Sequence, residues 1–154
     1  MKPGVWGSAA VALLVANMAY AAEVAPNDVK VEDGTVAQSL TGNPGDPEMG
    51  AKALANRGLG NCLACHAVSA LESEQFHGDV APPLDGVADR WQPEQLRAIV
   101  VDAKKVFGPE SVMPGFYSLE VGINVRKDLV GKPILTAQQV EDVVAYLSTL
   151  KEGD

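Results

Sequence analysis

The hydrophobic positions of this chain predict an all-α protein with three main helices. Apolar residues recur at helical spacing in residues 47–57, 92–107 and 136–150. Asp46 followed by Pro47 is a typical helix start, and Phe107-Gly108-Pro109 would end the second helix. No alternation of apolar and polar residues is long enough to change this helical interpretation.

The third helix has the clearest pattern. Thr136 and Gln139 have the spacing of a capping box. The apolar residues that follow at helical intervals are Val140, Val143, Val144, Leu147 and Leu150. This stripe needs a partner, and we expect it to pack across the first helix, where Gly50 and Ala53 allow close backbone approach.

Long irregular stretches are predicted at residues 24–45, 68–81 and 116–133. Loops of this length ordinarily count against an assignment of secondary structure. A large apolar cofactor would explain them, because it gives loops a surface on which to pack. The sequence therefore favours helices and loops arranged around a buried group.

A cleavable leader is predicted at the amino terminus. Lys2 is followed by uncharged residues as far as Ala22, and Ala19-Tyr20-Ala21 fits the pattern of a signal-peptidase site. The apolar run is short for a membrane span, although an uncleaved anchor is the alternative. We predict a signal peptide at residues 1–21, an amino-terminal extension at 22–45 and one folded domain at 46–154.

The charge of the chain excludes some classes of partner. Its formal net charge is −8, and loss of Lys2, the only charged residue of the leader, makes it −9. Nucleic acid and anionic membranes are poor partners for such a surface. A basic docking partner and simple solubility are both compatible with it.

Cys62-Leu63-Ala64-Cys65-His66 has the C-x-x-C-H pattern of covalent c-type haem attachment. Each thiol forms a thioether with a haem vinyl group, and His66 then falls beneath the iron as the proximal ligand. A redox-active dithiol would be expected within a βαβ pattern, which is absent. A zinc site would need two more ligands, and His77 is the only other histidine. The motif predicts one covalent haem c.

Met113 is the favoured ligand for the other side of the iron. Pro114 holds it extended, and Gly115 permits a tight return of the chain. The alternatives are His77 in a polar loop, a lysine, or an open position. Met49 lies inside the first helix and is expected to be a core residue.

These features together resemble the class I cytochromes c. More narrowly, residues 81–88 (APPLDGVA) and 107–117 (FGPESVMPGFY) resemble the SoxX family, the small cytochrome subunits of SoxAX complexes. The resemblance runs from about Gly50 to Leu150. It departs from the broad class at Ala81, where glycine is usual.

The resemblance implies further site residues. Pro82 would offer its backbone carbonyl to His66, and Leu84 would pack on the haem. Three aromatic residues are candidates to line the haem or reach its propionates: Trp91, Phe116 and Tyr117.

The resemblance also implies a function in the periplasm. In SoxAX complexes, thiosulfate is joined oxidatively to a cysteine of a carrier protein, an L-cysteine S-thiosulfotransferase type of reaction. The reactive cysteine belongs to a larger c-type cytochrome, SoxA, and the small subunit receives the electrons for a downstream acceptor. This chain has no cysteine beyond Cys62 and Cys65, so it is not expected to be catalytic alone.

Two other functions are left open by the residues. One is a free, diffusible electron-carrying cytochrome, and the other is a haem sensor or ligand-binding enzyme with an open iron position. The extension at residues 22–45 favours the subunit, because a minimal carrier does not need it. If the extension wraps a partner, it should be disordered alone and ordered in the complex.

Overall fold

The computed structural model describes residues 22–120 and 122–153 of the chain. Its α-helices are α1 (Pro47–Ala55), α2 (Val87–Arg90), α3 (Pro93–Phe107) and α4 (Ala137–Leu147). Short 3₁₀ turns lie at Pro26–Asp28, Cys62–Ala64, Ser69–Leu71 and Lys127–Leu129. No strand occurs in these residues, and the prediction of an all-α fold is confirmed. The leader predicted at residues 1–21 lies outside the described residues.

The helix starts follow the capping residues of the sequence. The Asp46 side chain accepts from the backbone N–H groups of Glu48 and Met49 at the start of α1. At α4, Thr136 and Gln139 form the predicted reciprocal capping box. The ends were predicted less well, because α1 and α4 stop before Arg57 and Leu150. The four-residue helix α2 was missed, since it is too short to carry a periodic pattern.

Helices α1 and α4 cross in close contact at Gly50, as predicted. A methyl group at Gly50 would overlap the carbonyl of Asp142, and it would lie 2.8 Å from the Cβ of Tyr146. Ala53 on the same helix is buried in the core with Val143 of α4. Only small residues allow this backbone approach, so α4 holds the end of α1 in a fixed place.

The residues before α1 pack onto the helices of their own domain. We call residues 22–45 the N-terminal segment. Its side chains Val29, Val36 and Leu40 are buried in the core, and the backbone N–H of Val36 donates to the carbonyl of Glu94, with 3.0 Å between N and O. The expectation that this segment is disordered alone was therefore wrong.

A buried ion pair holds the same segment. Arg97 of α3 and Glu141 of α4 lie 2.9 Å apart, measured between Nε and Oε1. Arg97 also donates through Nη1 to the carbonyl of Val36 (2.9 Å), and the N–H of Leu40 donates to Glu141 (2.8 Å). Each charged group thus also makes a hydrogen bond to the N-terminal segment, and such additional bonds offset part of the cost of burying an ion pair.

Tyr117 fastens the start of the segment. Its hydroxyl donates to the carbonyl of Val24 at 2.8 Å and lies 3.1 Å from a carboxylate oxygen of Glu23. Burial of the ring, and then the nearby Glu23 carboxylate, raise the pKa of Tyr117 from its ordinary value of 10.0 to about 12. Tyr117 was a candidate for the haem, but its hydroxyl serves the N-terminal segment instead.

Loss of the Tyr117 hydroxyl should loosen this segment in a pH-dependent way. Because its pKa is higher in the folded protein, its stabilisation is complete below pH 10 and is lost as the pH rises through about 12. We expect Tyr117→Phe to lower the free energy of unfolding by about 1 kcal/mol at neutral pH, with the difference from wild type shrinking above pH 10. Denaturant unfolding at several pH values measures this.

Tyr146→Phe is the matched control at neutral pH. Its hydroxyl is buried and has no hydrogen-bond partner in the part of the chain that the structure describes. Removing it should not destabilise the protein. A Tyr117→Phe effect that stays constant up to pH 12 would contradict the tether.

Candidate functional site

A large apolar cavity lies among the four helices. Its volume is about 490 Å³, and its walls include Leu54 of α1, Ile99 of α3 and Leu147 of α4. A smaller cavity of about 200 Å³ adjoins it through shared lining residues, which are Cys62, His66, Met113 and Phe116. The protein core therefore leaves room for a flat apolar group at the place where the motif residues meet.

The C-x-x-C-H motif forms one tight turn, separated from the end of α1 by six residues. The N–H groups of Cys65 and His66 both donate to the carbonyl of Cys62, at 3.1 and 2.9 Å. Asn61 initiates the turn with a left-handed backbone, at φ 49°. The two thiols and the imidazole are thus held on one short piece of backbone beside the cavity.

The His66 ring is fixed by a single strong contact. Its Nδ1 lies 2.7 Å from the backbone carbonyl of Pro82, so Nδ1–H donates and Nε2 keeps its lone pair. This is the contact that the resemblance implied. An imidazole held in this tautomer is ready to bind a metal through Nε2.

The stretch that carries Pro82 is itself tied to the motif. The N–H of Ala81 donates to the carbonyl of Cys65 (3.0 Å), and that of Leu84 donates to the carbonyl of Ala67 (2.9 Å). Ala81 therefore does not disturb the loop, although glycine is usual there in the broad class. Pro82 and Leu84 both line the large cavity, as their predicted roles require.

Met113 lines both cavities and is half-buried. The loop that carries it is attached to α3. Phe116 donates its N–H to the carbonyl of Val100 (3.1 Å), and Tyr117 donates to Val101 (3.2 Å). The thioether is thus presented to the same space as His66 by a loop with firm backbone contacts.

The other candidate ligands lie elsewhere. His77 accepts from the N–H of Val68 at Nδ1 (3.2 Å), and its Nε2 lies 3.1 Å from the carbonyl of Leu71, so both ring nitrogens serve their own loop. Met49 is about half exposed on α1 and lines neither cavity. Among the described residues, no lysine lines either cavity.

Arg90 is a site residue that sequence reasoning missed. Its guanidinium donates to the carbonyls of Asp85 (2.9 Å) and Pro83 (3.0 Å), and the side chain lines the large cavity next to Trp91. In the sequence Arg90 is an ordinary basic residue of a polar stretch. Only its neighbour Trp91, a candidate to line the haem, indicated that this position lies near the site. Arg90 brings the one permanent positive charge among the cavity's described lining residues.

Cys62 does not have the property of a redox-active thiol. Burial, with a further contribution from Cys65, raises the pKa of Cys62 to about 12. Redox-active cysteines have lowered pKa values instead. No cluster of three or more His, Cys, Asp or Glu side chains is placed to hold a metal ion within residues 22–120 and 122–153.

Comparison with known proteins decides the family. A family model described as cytochrome c matches residues 47–151. The chain belongs to the cytochrome c family. A chain in the crystal structure of SoxXA from P. pantotrophus is 47% identical, with a TM-score of 0.79, and the match covers 85% of this chain and all of that one. No curated protein matches the present chain.

The cytochrome is SoxX-like and carries one covalent haem c at Cys62 and Cys65. The large cavity fits this group, because its walls are almost entirely apolar and Cys62, His66 and Met113 line it, while Cys65 lines the smaller cavity that adjoins it. Since residues 47–151 are about two thirds of the chain, a match over 85% of it extends into the N-terminal segment. No helix in the described residues is long and apolar enough to span a membrane.

Covalent attachment has a direct test. Acid-acetone extraction should leave the colour on the polypeptide, and a pyridine haemochrome spectrum should indicate two thioethers. Cys62→Ser and Cys65→Ser should each leave a spectrum typical of one thioether, because one thiol still adds to its vinyl group. Haem that extracts freely from the unaltered protein would contradict attachment at this motif.

Proposed function

We propose that this chain is the electron-accepting subunit of a periplasmic SoxAX-type complex, in which thiosulfate is joined to a cysteine of a carrier protein. The observation that carries the proposal is the 47% identity over the whole length of a chain from SoxXA. In this reaction a carrier thiol and thiosulfate form a sulfur–sulfur bond, and two electrons and one proton leave. The electrons pass one at a time through the haem subunit to a downstream acceptor.

We propose that His66 and Met113 would both bind the haem iron. The hydrogen bond from His66 Nδ1 to Pro82 supports this role, because it orients the ring and leaves Nε2 free. The haem supplies a one-electron Fe(III)/Fe(II) couple when bound. The soft thioether of Met113 favours the ferrous state and so raises the reduction potential.

The cavity walls have a separate task in this proposal. Leu84 and its apolar neighbours exclude water, which would otherwise stabilise the more highly charged ferric state. Arg90 adds positive charge at the edge near Trp91 and would hold an anionic group there. Both effects favour acceptance of an electron.

This chain is not proposed to carry the thiosulfate chemistry itself. Its two cysteines are both taken by haem attachment, and it has no other thiol to act as a nucleophile. The reactive cysteine is assigned to the larger SoxA-like cytochrome. The cysteine count of this chain agrees with that division of labour.

Exposed apolar side chains near the motif support docking of a partner. Val80 and Val112 line the smaller cavity together with Cys65, yet they are 69% and 83% exposed. Phe76, beside Ala64 of the motif turn, is 80% exposed. Phe76 lines a separate pocket, which shares Asn61 and Ala64 with the smaller cavity. Exposed apolar residues that lie this near to one another are typical of an interaction surface. We propose that the larger subunit docks here, and that the N-terminal segment is part of the folded domain.

The competing function is a free electron carrier, which the net charge of −8 also permits. Reconstitution separates the two. The purified chain should undergo reversible one-electron reduction but fail to couple thiosulfate to a carrier thiol, and adding a SoxA-like subunit should restore coupling. Failure to bind such a subunit at micromolar concentration would favour the free carrier. Turnover by this chain alone would contradict its role as an electron-accepting subunit that is not catalytic alone.

The axial ligand has its own test. Met113→Ala should abolish the weak far-red charge-transfer band of methionine-bound ferric haem, lower the potential and admit exogenous ligands. Met49→Ala is the matched control, because Met49 lines neither cavity, and it should leave all three properties unchanged. If His77→Ala produced these changes instead, the assignment of Met113 would be wrong.

A further inference from the structure

We infer that Asp102 is a positioning residue for Met113: its side chain opens α3 at the point where the Met113 loop attaches. The inference rests on the proposed ligand role of Met113. Asp102 is 6% exposed, and its backbone, at φ −159° and ψ 94°, is extended inside an otherwise helical element. Sequence reasoning predicted no break here, because the apolar residues Leu96, Ile99, Val100 and Ala103 keep helical spacing through it.

The Asp102 side chain intercepts one particular hydrogen bond. In an uninterrupted helix, the carbonyl of Val100 would accept from the N–H of Lys104, four residues later. Here the N–H of Lys104 donates to Oδ1 of Asp102 at 3.1 Å. The carboxylate thus acts as an internal cap for the last turn of α3, and it frees the carbonyl of Val100.

The Met113 loop takes up the freed carbonyls. Val100 accepts from Phe116 (3.1 Å), and Val101 accepts from Tyr117 (3.2 Å), so two consecutive amides of the loop add to the opened turn. Closing the helix would return these carbonyls to helical amides. The kink and the attachment of the loop are therefore one arrangement, not two independent features.

Both flanks of Met113 touch the opened turn. On one side, the carboxylate of Asp102 lies against Gly115, where an added Cβ would be 3.2 Å from both Cγ and Oδ1. On the other side, Nζ of Lys104 donates to the carbonyl of Ser111. Met113 lies between these two contacts in the sequence. The opened turn therefore fixes how far its thioether reaches into the cavity.

The role needs an acceptor atom and not a charge. Without Oδ1, the partly buried N–H of Lys104 loses its partner and competes for the carbonyl of Val100. Phe116 is then displaced, and the Met113 thioether leaves the iron more often. Asp102→Asn keeps an oxygen of the same size in the same place, whereas Asp102→Ala removes it.

The test compares these two variants in the ferric holoprotein. Asp102→Ala should weaken the far-red methionine band and increase the affinity for imidazole by roughly tenfold, since a ligand that is released more often competes less well. Asp102→Asn should restore both values towards wild type. Asp128→Ala, at an exposed site paired with Arg126, is the matched control and should change neither.

Three outcomes separate the possible errors. A wild-type protein without the methionine band would overturn the ligand role of Met113 itself. A wild-type protein with the band, together with Asp102→Ala that keeps both band and imidazole affinity, would overturn the role of Asp102 alone. If Asp102→Ala does not fold, Gly115→Ala tests the same contact, because its methyl would crowd Asp102 and Ser118. An unchanged band and affinity in that variant would also contradict the inference.

Discussion

The structure depends on the close contact between α1 and α4 at Gly50. This contact fixes the end of α1, and the C-x-x-C-H turn follows that end within a few residues. The same α4 supplies cavity wall through Val143 and Leu147, and it supplies Glu141, which holds the N-terminal segment. One helix crossing therefore sets the position of the attachment turn, one wall of the cavity and the packing of the chain's first residues.

Helix α3 holds the loop of the second candidate ligand, Met113. It contributes wall residues to the cavity, and its break at Asp102 receives the loop that carries Met113. The His66 imidazole is oriented by the carbonyl of Pro82, and the loop that carries Met113 is held by backbone contacts to α3. Two candidate ligands of different chemistry are thus held by different parts of the fold. A fixed ligand pair limits structural change when the iron changes its charge, which suits an electron-transfer site.

Local signals in the sequence predicted much of this arrangement. The caps at Asp46 and Thr136, the small residue at Gly50 and the attachment motif are all readable within a few positions. Features that depend on tertiary contacts could not be predicted from the sequence. The buried residues of the N-terminal segment follow no regular period. The break at Asp102 lies where apolar residues keep helical spacing. Tyr117, next to a cavity residue, proved to face Glu23. Such features depend on contacts between distant residues, which periodicity and propensity do not report.

The central claim is that Met113 and His66 bind the same iron. The chain after the predicted leader contains only two methionines, Met49 and Met113. Labelling their methyl groups with carbon-13 allows both to be followed by NMR in the ferrous protein, with Met49→Leu giving the assignment. The account predicts that the Met113 methyl signal is displaced far upfield by the haem ring current and that the Met49 signal is not. Two ordinary methyl signals, or a displaced Met49 signal, would contradict it.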